Sequence, residues 1–145
     1  MNAYEEMKKR HQAAVDDLPI YWAFTQDSFV QILNKLELTE DDTDQLCKIG
    51  GGFCLKTDAE RIVKTLRRNR EELEAAVAAD TTGDGFIEEM FLYELRNHEY
   101  TYTLDTEETV NACGFTEAEV EADPRLKHGL EAACKKLREA EGFSF

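Results

Sequence analysis

Basic residues all but vanish from the middle of this sequence. Between residues 80 and 123, Arg96 stands alone against 13 acids, a local net charge of −12. A field of that sign repels phosphate backbones, which disfavours direct nucleic-acid binding, and attracts cations or basic protein surfaces. Long apolar runs are missing too. The longest, residues 18 to 24, falls far short of the roughly 20 residues a membrane helix needs. The four cysteines, Cys47, Cys54, Cys113 and Cys134, include no CxxC pair. The polar start MNAYEEMKKRHQ is not expected to be a secretory signal, so the thiols are expected to be reduced in a cytoplasmic protein. Catalytic signatures are equally scarce. There is no HExxH and no Ser or Cys in an activating context; only Glu94 and His98, four residues apart, could form an acid/base pair on a helix. Such a pair is more readily a helix-terminal His beside a carboxylate.

What remains is enough for one core. The chain has 145 residues, 42% of them hydrophobic, and a formal charge of −14. One domain spanning 1–145 is expected. Residues 2 to 16 read as a polar helix. Ile20, Trp22 and Phe24 then alternate as a strand would, followed by a helix after Thr25 with Phe29, Ile32, Leu33 and Leu36 inward. A short helix is expected from Thr39 through Cys47.

The triplet Gly50-Gly51-Gly52 lacks the Lys, hydroxyl and helix start of a phosphate loop, and reads as a turn into a strand. Thr57-Asp58-Ala59-Glu60 is a capping box for a helix running to Ala79. That helix carries Arg61, Lys64, Arg67, Arg68 and Arg70 on a solvated face. After residue 85 a helix is expected to about Asn97, and Tyr100 to Leu104 alternates as a third strand. Thr116 to Glu119 is a second capping box, and Asp123-Pro124 launches the last helix. Three short strands, at 20–24, 52–56 and 99–104, imply an α+β fold. A small three-stranded antiparallel sheet would be covered by helices, with a helical C-terminal third.

The segment Asp80-Thr81-Thr82-Gly83-Asp84-Gly85 places oxygen-bearing side chains at alternate positions ahead of a glycine. It partly resembles an EF-hand-like calcium loop, with Asp80, Thr82 and Asp84 at the first, third and fifth positions and Gly85 at the sixth. Phe91 stands at the twelfth position, where a bidentate Glu would be needed. Asp80, Thr82, Asp84 and Glu88 are therefore the candidate metal ligands, with Ca or Mg as the ion. The competing reading is a helix end, a turn through Gly83 and Asp84 capping the next helix.

The blocks 80–86, 90–100 (Met90-Phe91, Tyr93-Glu94-Leu95, Asn97-His98-Glu99-Tyr100) and 123–131 (Asp123-Pro124-Arg125-Leu126-Lys127-His128-Gly129-Leu130-Glu131) together resemble a family of small uncharacterised proteins. That family is found in bacteriophages and gut Gram-positive bacteria. The resemblance implies a mobile-element setting, with host cytoplasm as the location, and carries no assigned activity.

Two functions follow from these features. The first is a noncatalytic acidic protein that docks on a basic host protein, for instance as an inhibitor of a nuclease or defence system by imitating DNA charge. Its contact residues would be Glu88, Glu89, Glu107, Glu108, Glu117, Glu119 and Glu121. The alternative is a divalent-cation module or metal-dependent enzyme built on residues 80–89.

Overall fold

A computed structural model of the protein describes residues 2–142. They are mostly helical, with one two-stranded antiparallel sheet. Contacts gather the chain into two compact units, His11–Arg70 and Met1–Arg10 with Glu71–Phe145. Helices α1 (Ala3–Asp16) and α3 (Lys56–Ala79) have residues in both.

In the unit His11–Arg70, helix α2 (Gln26–Lys35) begins at a capping box in which Thr25 and Ser28 exchange hydrogen bonds. That satisfies N–H groups the first turn cannot. A 3₁₀ turn, Glu40–Gln45, is capped by Thr39 and Asp42 in the same way. It stops two residues before the expected end. Leu46 starts strand β1 (Leu46–Ile49), which turns at Gly50 and pairs with β2 (Gly52–Leu55). Gly50 has φ +57°, a conformation costly for residues with a Cβ. Helix α3 starts directly at Lys56, so the Thr57 box falls inside its first turn.

The expected three-stranded sheet is corrected to two strands. Residues 20–24 contribute one bridge, in which Tyr21 and Phe53 exchange bonds of 2.8 and 2.9 Å. The ladder cannot lengthen, because the Ile20 N–H is given to the Leu18 carbonyl and the chain turns into α2 at Thr25. Trp22 and Phe24, which a strand at 20–24 would have set on one face with Ile20, are exposed. Leu33, Phe53, Cys54 and Ile62 are the buried apolar residues of this unit.

Among the described residues the other unit holds helices and no strand. It holds α4 (Phe86–Asn97), α5 (Tyr100–Thr103), α6 (Glu107–Ala112), α7 (Glu117–Ala122) and α8 (Pro124–Ala140). Residues 99–104 are therefore not the third strand. A strand would have turned Tyr100 and Tyr102 to one face, whereas a helical turn separates them. Tyr100 enters the core and Tyr102 is left 87% exposed. Left-handed residues on both sides, Glu99 (φ +53°) and Leu104 (φ +56°), confine the helix to one turn.

Helices α4 and α8 form the central packing pair, with α6 and α7 against them. Ile87, Met90, Phe91 and Leu95 of α4 meet Leu126, Ala133, Cys134 and Leu137 of α8 in one buried cluster. These residues recur at three- and four-residue spacing, the inward stripe of an amphipathic helix. Asp123 caps α8 by accepting from the Arg125 N–H, with Pro124 at the first helical position, as expected.

Candidate functional site

The loop between α3 and α4 is built around one carboxylate. Asp80 Oδ1 accepts from the N–H groups of Gly83 (2.9 Å) and Thr82 (3.2 Å), and Oδ2 from those of Gly85 and Ile87 (both 3.0 Å). Burial alone would raise the Asp80 carboxyl, but these four bonds outweigh it and hold it below the usual carboxylate value. The Ile87 N–H lies in the first turn of α4, where Gly85 at the cap position offers no side chain. Asp80 thus caps α4 from outside the helix, the task the sequence had suggested for Asp84.

The start of α8 locks this loop. Arg125 Nη1 donates to the carbonyls of Val77 (3.1 Å), Ala78 (3.5 Å) and Asp80 (2.9 Å). A cation thereby satisfies the C-terminal carbonyls of α3 and complements its dipole. His128 Nε2 stands 2.6 Å from Asp84 Oδ1. Gly83 has φ +89°, and a Cβ there would lie 2.3 Å from the Arg125 carbonyl oxygen. A Cβ on Gly129 would lie 2.5 Å from Ile87 Cγ2. The segments 80–87 and 123–129 are therefore two halves of one latch. Sequence reasoning missed the roles of Arg125, His128 and Gly129, although their spacing already placed them on one face of α8.

As metal candidates, Asp80, Thr82, Asp84 and Glu88 are each engaged. Thr82 bonds to Asp80 and to the Asp84 N–H. Glu88 is buried, its Oε1 facing the Lys136 ammonium at 2.6 Å without the angle of a hydrogen bond. Among the described residues, the acidic oxygens that converge within 4.8 Å belong instead to Asp105, Glu107 and Glu117, all exposed.

Glu94, half of the acid/base candidate, is 1% exposed. Its Oε1 accepts from the Tyr4 hydroxyl at 2.8 Å and pairs with the Lys8 ammonium. His98 Nδ1 lies 2.8 Å from the Glu94 carbonyl oxygen and 3.8 Å from Oε2. Tyr4 also meets Phe86 and Tyr93 edge to face, and Lys8 sits 4.9 Å above the Tyr93 ring. The Glu94 carboxylate thus fastens α1 to α4. Burial, followed by Cys113 and Glu94 nearby, pushes the Tyr4 hydroxyl well above the ordinary tyrosine value.

The remaining contact candidates lie on α4, α6 and α7. Glu89 is half-buried, while Glu107, Glu108, Glu117, Glu119 and Glu121 are exposed. Glu121 pairs with Lys127 at 2.7 Å, and Glu119 accepts from the Thr116 N–H in a capping box. Among the described residues, Glu89, Glu107, Glu108, Glu117 and Glu119 have no cationic partner. Glu117 and Glu121 rim a depression of about 420 Å³ whose lining includes Val110, Val120 and Leu130.

The model of a family of unknown function, DUF7659, matches residues 3–136, which take in the latch, the Glu94 cluster and the acidic helices. The chain belongs to that family. No curated protein and no solved structure matches it. The DUF7659 match includes residues of both compact units. Among the described residues, no helix is long and apolar enough to cross a membrane.

Proposed function

We propose that this DUF7659 protein is a noncatalytic binding protein whose α6 and α7 dock on a basic protein surface. The observation that carries this reading is the set of exposed carboxylates with no cationic partner among the described residues, Glu107, Glu108, Glu117 and Glu119. Over residues 97–124 the sequence holds eight acids and no Lys or Arg. The depression beside them suits a partner's Lys or Arg, its alkyl stem over Leu130 and its charge beside Glu117. Tyr102 and Leu104, both exposed just before α6, supply apolar contact of the kind that anchors interfaces.

The setting that fits this chemistry is a phage or mobile-element protein acting in host cytoplasm on a nucleic-acid-binding protein such as a defence nuclease. There the carboxylates would stand in for phosphates. The test is competition: the protein is added to a basic nuclease already holding duplex DNA. Displacement is expected, and Glu107→Lys/Glu108→Lys/Glu117→Lys/Glu119→Lys should abolish it. A variant that displaces DNA as well as the wild type ends the proposal.

The cation reading of residues 80–89, with its EF-hand-like pattern, is tested by calorimetric titration with Ca and Mg on the wild type and on Asp80→Ala. Absence of both heat and a thermal shift in the wild type removes it. Thr82 and Asp84 are the ligand candidates in that loop that remain exposed.

A further inference from the structure

The β1–β2 register sets Cys47 directly opposite Cys54. Phe53 turns both its N–H and its carbonyl to Tyr21, so Cys54 turns its own toward β1. The two cysteines therefore face each other as a hydrogen-bonded pair, with Cα atoms about 5.5 Å apart. A disulfide spans Cα separations of about 4.4–6.8 Å. The side chains leave the same face of the hairpin, the Cys47 thiol near enough to raise that of Cys54 while itself donating to the Lys48 carbonyl at 3.6 Å.

The two thiols differ in access. Cys54 is fully buried, whereas Cys47 is half-exposed and lines an open depression of about 730 Å³ with Phe24, Phe29, Lys48 and Phe53. Burial first, then Cys47 and Asp58, raises the Cys54 thiol, which keeps it protonated while Cys47 meets solvent.

We propose that Cys47 and Cys54 are a dithiol pair that a low-molecular-weight disulfide oxidises to a cross-strand disulfide. The Cys47 thiolate attacks one sulfur of the small disulfide, whose S–S bond breaks and releases one thiolate. A mixed disulfide is left on Cys47. The Cys54 thiol then gives up its proton and attacks Cys47 Sγ, expelling the second small thiol. Two protein thiols are oxidised and one disulfide is reduced to two thiols. The glycine turn at residues 50–52 lets the strands close the remaining distance. The product pins the β1–β2 register and alters the wall of the depression at Cys47.

Trypsin makes the test direct, because Lys48 lies between the two cysteines. The full chain is equilibrated with oxidised glutathione, its remaining thiols are alkylated under denaturing conditions, and it is digested without reductant. Peptides 36–48 and 49–56 should appear joined, lighter by two hydrogens than their sum, and should separate after dithiothreitol. In Cys54→Ser, Cys47 should instead retain glutathione. Separate alkylated peptides in the wild type, or linkage of Cys47 to Cys113 or Cys134, overturn the proposal even if the variant fails to fold.

Discussion

A single carboxylate can hold a junction when every lone pair is used. Asp80 takes four backbone N–H groups, which would otherwise be orphans of the loop and of the first turn of α4. Asp80→Ala should therefore cost more than an ordinary helix cap, about 2–3 kcal/mol. Chemical denaturation of the two proteins reads the difference, and a loss below about 0.5 kcal/mol would mean that the N–H groups find water instead. The carboxyl is depressed in the folded state, so its stabilisation is present above the unfolded value near 3.9 and fades as pH falls through the lower folded one. Tyr4 works from the opposite end. Its raised hydroxyl contributes stability that is complete below the unfolded value near 10 and is lost as pH climbs further. Thermal midpoints should thus fall above about pH 10, and Tyr4→Phe should flatten that fall. An equally steep fall in the variant would assign it to other groups, Tyr100 first among them, since burial raises that hydroxyl as well.

Elements were legible where the capping chemistry was local. Thr25, Thr39, Thr116 and Asp123 all cap as their neighbours indicate, because each cap needs only residues two or three positions away. Residues 99–104 were misread because alternation in Tyr-Thr-Tyr-Thr describes spacing and not which tyrosine finds a core. Tyr100 found Cys134 and Arg138 on α8, a partner more than thirty residues on. The latch was invisible for the same reason: Arg125 works on carbonyls 45 to 48 residues away. Gly129 tests how tightly the elements meet. In a free helix Gly→Ala would stabilise by about 1 kcal/mol. Here the new Cβ would lie 2.5 Å from Ile87 Cγ2 and 2.9 Å from the Gly83 carbonyl, so something must shift. Overpacking of about 1–3 kcal/mol should exceed the helix gain and leave Gly129→Ala less stable than the wild type. A variant that melts higher would show that α4 and α8 can separate freely.

At the scale of the molecule, charge works against the fold and, in the docking proposed above, for the complex. The formal charge of −14 adds self-repulsion, concentrated on α6 and α7, where four carboxylates have no cationic partner among the described residues. Part of that placement is structural, since Glu107, Glu108, Glu117 and Glu119 lie in first turns, where a negative charge suits the helix dipole. Dipole terms act within one turn, whereas repulsion between the helices reaches a Debye length, about 30 Å at 0.01 M salt and about 8 Å at 0.15 M. Raising salt across that range should therefore raise the melting midpoint of the isolated protein, because repulsion is screened over a longer range than the caps. The same change should weaken docking on a basic partner by at least tenfold, because there the long-range term is attractive. A purely solubilising acidic surface predicts only the first response. Opposite signs in one buffer series, melting measured on the protein alone and affinity on the complex, separate a docking surface from a merely soluble one. Affinity that ignores salt would count against the charge-driven partner.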